Sequence, residues 1–246
     1  DIKLYGTARD IEVETFDIIQ QGYFTFQSDA RMAYPLDDAR RSIVLNGNLK
    51  TTEHITLSNY IPDSTLEARI AMQPIHIDLH SNMIGKEIAA DMWMECMGGN
   101  ADIQAQYNTV LESYDIAAVI NSLPLDLFLP GDTIGNLSAH IDLSGKHFTL
   151  DNNDMALSAL ITVDTLQYRN FSYNGVQLAA EAANEHWNLD VASSLPSLDL
   201  DVNASGLFKK DLLTANIRAA IASLDLGAMH LSILLPTLQP TSCCPI

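Results

Sequence analysis

Basic side chains are scarce in this 246-residue chain. Its 13 Lys and Arg stand against 31 Asp and Glu, giving a formal net charge of −18 and an isoelectric point near 4.4. Phosphate-rich partners are met by clustered Lys and Arg, so neither a nucleic-acid partner nor an anionic membrane surface is expected. Cysteine is scarcer still: Cys96 stands alone and Cys243 and Cys244 are adjacent, so there is no spaced disulfide framework and no CxxC zinc pair. Long apolar runs are missing too. The longest, Ile116–Ile120, falls far short of the roughly 18 residues that a membrane-spanning helix needs. The chain opens at Asp1 without a Met, a basic stretch or the apolar core of a signal peptide, and reads as a segment of something longer. What is plentiful is apolar character: 47% of the residues, enough for a sizeable core and too much for intrinsic disorder.

That apolar content recurs with a period of two, the pattern of strands with one face in solvent. Leu198, Leu200, Val202 and Ala204 alternate with Asp199, Asp201, Asn203 and Ser205. Leu137, Ala139, Ile141 and Leu143 alternate with Ser138, His140, Asp142 and Ser144. Trp187, Leu189 and Val191 repeat the pattern against Asn188 and Asp190, as do Ile11, Val13 and Thr15 against Asp10, Glu12 and Glu14. Asn46-Gly47-Asn48, Gly98-Gly99-Asn100, Asn152-Asn153 and Asn174-Gly175 read as turns between such runs, because Asn and Gly tolerate positive φ. Residues 101–120 hold good helix formers, yet Ile116, Ala118 and Ile120 keep the period of two and are read as strand. Residues 177–185 are the other stretch where a helix competes, and a short helix is expected over Asp37–Arg41. The fold class expected is all-β, built from antiparallel strands.

An internal repeat stands out. IAAVINSLPL (Ile116–Leu125) aligns with IRAAIASLDL (Ile217–Leu226) at an offset of 101 residues. The identities are Ile116/Ile217, Ala118/Ala219, Ile120/Ile221, Ser122/Ser223, Leu123/Leu224 and Leu125/Leu226. Repeated multi-strand units build a sheet in which each unit covers the edge of its neighbour, an architecture suited to a rod, scaffold or groove.

Residues that carry chemistry are sparse and unassembled. His76, Asp78 and His80 fall on one face of a strand, a spacing able to ligate zinc or copper, but no further ligand is spaced to join them. A solvated strand face opposite Ile75, Ile77 and Leu79 is the plainer reading. Gly98-Gly99 lacks the Gly-Lys-Ser/Thr continuation of a phosphate loop, and no GxSxG elbow or recognisable triad spacing occurs. Carboxylates are scattered singly along polar faces, as solubilising charge rather than as an acid–base pair. Asp151-Asn152-Asn153-Asp154 lacks the Gly and terminal Glu of a calcium loop and reads as a turn. Asn136, Asn170 and Asn203 each open an Asn-x-Ser pattern, which matters only on a eukaryotic secretory route. No catalytic residue, metal site or cofactor is expected, and the chain is read as a protein that is not an enzyme.

The segment YNTVLESYDIAAVINSLPLDLFLPGDTIGNL (residues 107–137) resembles the strand unit of TamB-like translocation and assembly proteins, the AsmA/TamB superfamily in its Bacteroidota form. The elements carrying the resemblance are Tyr107-Asn108-Thr109, Tyr114, Leu123-Pro124-Leu125 and the turn from Phe128 through Leu129, Pro130, Gly131, Asp132, Thr133 and Ile134 to Gly135. Residues 137–150, 163–182 and 209–231 are similar to the strands that follow in that family. The resemblance covers residues 65–231 and, more loosely, the first 64. It divides the chain into a β-rich leading segment (1–64), a repeat region (65–232) and an irregular tail (233–246) that resembles no strand of the family. The membrane anchor and C-terminal domain of family members have no counterpart here.

The resemblance implies an elongated repeat sheet curled into an open, U-shaped groove (a β-taco) in the periplasm, anchored in the inner membrane by an N-terminal segment outside this chain. Membrane contact is then expected only through such outside parts. It also implies a function without chemistry: lipid transport between inner and outer membrane along an apolar floor, in support of outer-membrane biogenesis. The partners are phospholipid acyl chains, which need a continuous apolar surface, and a period-two sheet supplies one. Leu137, Ile141, Leu143, Leu157, Ile161, Val163, Leu198, Leu200 and Val202 are the candidate floor; an ordinary sandwich core closed by a second sheet is the alternative. Two further readings stand beside this one. The first is a scaffold that hands unfolded outer-membrane protein to a β-barrel assembly protein by strand addition. The second is a secreted β-solenoid adhesin, for which the scattered 7 Phe, 8 Tyr and 2 Trp are a poor match.

Overall fold

The computed structural model describes residues 2–7, 9–20, 24–51, 74–127, 129, 133–147, 154–169, 171–209 and 212–229. The boundary expected at residues 64 and 65, the tail 233–246, Asn152-Asn153 and Asn170 lie outside the described residues. The strands are β1 (Ile2–Thr7), β2 (Asp10–Gln20), β3 (Phe24–Ala33), β4 (Ser42–Thr51), β5 (Ile75–Ile84), β6 (Glu87–Cys96), β7 (Gly99–Asn108) and β8 (Ser113–Pro124). They continue as β9 (Ile134–Lys146), β10 (Ala156–Tyr168), β11 (Phe171–Tyr173), β12 (Val176–Ala183), β13 (His186–Leu195), β14 (Leu198–Lys209), β15 (Leu212–Leu213) and β16 (Asn216–Leu224). One 3-10 turn, Leu125–Leu127, follows β8. Every pairing is antiparallel, and the partners follow one another in the chain except at β10–β12 and β14–β16. Because β11 and β12 share the outer side of β10, and β15 and β16 that of β14, the sheet is fourteen strands wide. It does not close on itself. The two stretches where a helix competed form strands instead: 101–120 runs through β7, a turn at 109–112 and β8, and 177–185 through β12 and the turn that follows it.

The reversals depend on left-handed backbone at loop tips. Met97 (φ 51°) and Gly98 (φ 79°) form the two-residue connection between β6 and β7. Asn184 (φ 51°) and Glu185 (φ 64°) do the same between β12 and β13, where no glycine advertises a turn. The turn expected at Gly98-Gly99-Asn100 is thus displaced by one residue, with Gly99 already opening β7. At Asn46-Gly47-Asn48 the chain does not turn at all, and the three residues sit in the middle of β4. Gly47 lies between Phe26 and Leu79 on one face. On the other, the amide of Asn46 donates to Asp29 (2.7 Å), and that of Asn48 meets His76 (2.8 Å) and Asp78. Cross-strand partners outweigh local turn preference. The helix expected over Asp37–Arg41 is one turn, in which the Arg41 N–H donates to the Asp37 carbonyl (2.7 Å) and the Ala39 N–H to the Asp37 carboxylate (3.1 Å). β4 begins at Ser42 and leaves no room for a second.

Shared register sorts the side chains onto two faces. Followed through paired residues from edge to edge, one face reads Ile2, Phe16, Ser28, Gly47, Leu79, Met92, Ile103, Ala118, Ile141, Ile161, Leu178, Val191, Val202 and Ala219. One position along, the opposite face reads Asp29, Asn46, His80, Asp91, Gln104, Ala117, Asp142, Leu160, Ala179, Asp190, Asn203 and Arg218. A bulge at Glu14 and Thr15 shifts β2 by one residue, so Thr15 pairs with Lys3 on the polar face and Phe16 takes the apolar place. At about 4.8 Å between strands, the apolar row runs for about 62 Å.

A buried apolar cluster lies at one end of β5–β8. There Ile75, Cys96 and Leu123 are buried together, with Ile77, Met94, Ile120 and Leu125 against them. Cys96 is the one sizeable side chain fully shielded from water among the described residues.

Candidate functional site: the apolar face

The nine floor candidates occupy one face of three strands. Leu137, Ile141 and Leu143 lie on β9, Leu157, Ile161 and Val163 on β10, and Leu198, Leu200 and Val202 on β14. Ile141 and Ile161 are direct cross-strand partners, Leu143 faces Ala159, Val163 faces Ala139, and Leu157 faces Gly145. The β9–β10 group does not touch the β14 group directly. Leu178 on β12 and Leu189 and Val191 on β13 join them, since Ile161 pairs with Leu178, Leu178 with Val191, and Val191 with Val202. The alternation of Trp187, Leu189 and Val191, already read as strand, was the signal that could have added β13 to the candidates. The row also continues beyond the candidates through Ala118, Ile103, Met92 and Leu79, and its first polar or side-chain-less positions come at Gly47 and Ser28.

All nine candidates are half-buried. Side chains in a sealed core fall to the exposure of Leu123, 6%; these leucines and isoleucines are screened by their neighbours in the sheet and keep part of their surface open. Polar groups on this face include Ser81, Tyr107, Tyr114 and Ser193. Ser193, opposite Leu200, is buried with a hydroxyl that has no hydrogen-bond partner among the described residues. Tyr114 lies across Gly145, where any Cβ would collide with the phenol oxygen and with the Ala156 carbonyl. Burial pushes the Tyr114 phenol above its ordinary pKa. It does the same to the Cys96 thiol, with the Asp126 charge adding to the effect.

The opposite face is built differently. Against β2–β7 it forms an open recess of about 630 Å³, lined by Glu14, Asp17, Asp29, Asp78, Asp91 and Asp102 and by no Lys or Arg. Strand twist accumulates over a wide sheet, which makes room for concavity on either side. His76, Asp78 and His80 lie on this face of β5: His76 Nε2 is 3.1 Å from the Asp78 carboxylate on the same strand, its ring meets Trp93 of β6 edge-on at 5.2 Å, and His80 Nδ1 is 2.5 Å from the Asn46 side-chain oxygen of β4. Among the described residues no three His, Cys, Asp or Glu side chains are placed to hold a metal ion. No helix among them is long and apolar enough to cross a membrane.

Comparison of the chain with family models, with curated proteins and with solved structures gives no match.

Proposed function

We propose that the apolar face is a surface along which lipid acyl chains lie and move, and that the protein is a segment of a periplasmic lipid-conducting bridge of the TamB-like kind, its sheet curled into a groove. One observation carries this reading: an apolar row unbroken by charge from Leu79 on β5 to Ala219 on β16, whose leucines and isoleucines keep part of their surface open. A hydrocarbon chain laid on it gains about 0.8 kcal/mol for each methylene removed from water, with no requirement for a polar contact. Conduction needs a surface on which no charge halts the chain, and the row from Leu79 to Ala219 carries none. The acidic opposite face keeps so much apolar surface soluble and repels anionic headgroups from the wrong side of the sheet.

Mass spectrometry of organic extracts from the purified protein tests the reading, with an equally acidic β-sandwich as control. Phospholipid retained near one per chain, and lost when Leu143, Ile161 and Leu200 are replaced together by Asp, is the expected outcome. A lipid-free, well-folded monomer would show the face to be something other than a lipid surface.

A further inference from the structure

β16 repeats β8 in structure as well as in sequence. In β8, Ile116, Ala118 and Ile120 pair with Ala105, Ile103 and Ala101 of the preceding strand; in β16, Ile217, Ala219 and Ile221 pair with Ala204, Val202 and Leu200. Both strands then enter a turn closed by an N–H to carbonyl bond four residues back, Leu129 to Leu125 (2.9 Å) and Met229 to Asp225 (3.1 Å). The units differ on their outer side. β8 is covered by β9, in the register Ile116–Leu143, Ala118–Ile141, Ile120–Ala139 and Leu123–Leu137. β16 has no strand there among the described residues, and Ile217 and Ile221 are 68% and 56% exposed. At the repeat offset of 101 residues the start of β9 falls on Leu235, where LPTLQPTSCCPI shows none of the alternation of β9.

We propose that the outer edge of β16 is a docking site for a further unit of the same repeat, entered by an antiparallel strand of the β9 pattern. Its apolar residues stand opposite Ile217, Ala219, Ile221 and Leu224, and it places a carboxylate opposite Arg218. The charge requirement comes from the repeat itself: Arg218 takes the place of Ala117, whose partner on β9 is Asp142. Arg218 is exposed and has no ion-pair partner among the described residues, so a β9-like strand meets a cation at the one position where β9 carries an acid. The competing occupant is the β1 edge of a second copy. It apposes two bodies of net charge −18, which disfavours it. Docking of a repeat unit also prolongs the apolar row past Ala219, because a strand in that register sets its own apolar residues on the same face.

The probe is a labelled peptide with the sequence of β9, Ile134–Lys146, added to the full 246-residue chain. Fluorescence anisotropy is expected to show saturable binding, abolished when the peptide carries Ile141→Pro, which removes a ladder donor. Arg218→Glu is expected to weaken binding roughly two- to fivefold, with recovery when the peptide carries Asp142→Lys. Register is read by disulfide trapping, with Ala219→Cys in a chain whose Cys243 and Cys244 are replaced by Ser. A peptide with Ile141→Cys should cross-link, and one with His140→Cys, on the opposite face, should not. Absence of binding, cross-linking without positional preference, or tighter binding of a β1-sequence peptide (Ile2–Thr7) would each overturn the proposal, the last in favour of self-association.

Discussion

The two copies of the repeated strand carry nearly the same residues, and one is interior while the other is an edge. Leu123 of β8 is 6% exposed and packs on Ile75 and Cys96; its counterpart Leu224 on β16 is 47% exposed. Ala118 lies between Ile103 and Ile141, whereas Ala219 pairs with Val202 and has no second strand beside it among the described residues. Since the strand sequence is shared, the difference belongs to the neighbour. Stability in this molecule is a sum of strand-to-strand terms, as expected of a quasi-one-dimensional sheet, and the apolar face is shaped by how many neighbours each strand has rather than by a central core.

The comparison breaks most visibly if a charge is placed in both copies. Ala118→Asp puts a carboxylate between two isoleucines and is expected to cost about 3 kcal/mol or more. Ala219→Asp, at the open edge, should cost less than about 0.5 kcal/mol. Urea unfolding of the two variants measures the gap, and equal losses would show that β16 is covered in solution. Truncation gives a smaller version of the same contrast: Leu123→Ala should lose about 2–4 kcal/mol, and Leu224→Ala less than about 1 kcal/mol. Gly145→Ala presses a methyl group into Tyr114 and the Ala156 carbonyl, and is expected to cost about 1–3 kcal/mol on the same measurement. Tyr114→Ala in the same chain should relieve part of that loss.

Chemical reactivity sharpens the contrast without altering the fold. Cys96 sits in the packed end of β5–β8 with its thiol pKa pushed up by burial, so iodoacetamide at neutral pH should leave it unlabelled in the native protein and modify it as denaturant opens the sheet. Peptide mapping separates it from Cys243 and Cys244. The smallest effect is at the other end of the sheet. A hydrogen bond from Arg31 (3.0 Å) holds the Asp10 carboxyl below the ordinary range. A lowered carboxylate pKa contributes stability above the unfolded value and loses it as the pH falls through the folded one. Because the pair is exposed, Arg31→Ala should return the NMR titration midpoint of Asp10 to the ordinary range while leaving the unfolding midpoint almost unmoved.

How much of this could be read from residues alone depended on whether a local or a cross-strand force decided the position. The alternation at Leu137–Leu143 and Leu198–Ala204 assigned both strand and face, because both strands are long and free of bulges over those residues. It failed at Thr15, where a bulge defined by β1 and β3 moves Phe16 onto the apolar face. Asn46-Gly47-Asn48 looked like a turn because nothing in the sequence announces that Asp29, His76 and Asp78 wait on either side. Asn184-Glu185 turns without a glycine, and the chain order of β12 and β13 makes that visible only once the strands are paired. The acidic recess against β2–β7 was equally hidden, since curvature is a property of many strands twisting together. The composition of the apolar face was more legible than its extent: periodicity set the nine candidates on one face, while the bridge through Leu178, Leu189 and Val191 follows from register.

The most direct test of an acyl-chain surface is photo-cross-linking with a diazirine-bearing fatty acid, followed by mapping of the adducts. Adducts at Ile141, Ile161, Leu178, Val191 and Val202, with none at their polar-face neighbours Asp142, Leu160, Ala179, Asp190 and Asn203, are the expected result. Leu160 decides the matter, because it is apolar and 51% exposed yet faces the other way. Labelling of Leu160 as strong as that of Ile161 would mean that the lipid samples any exposed hydrocarbon, and the apolar face would then not be a lipid path.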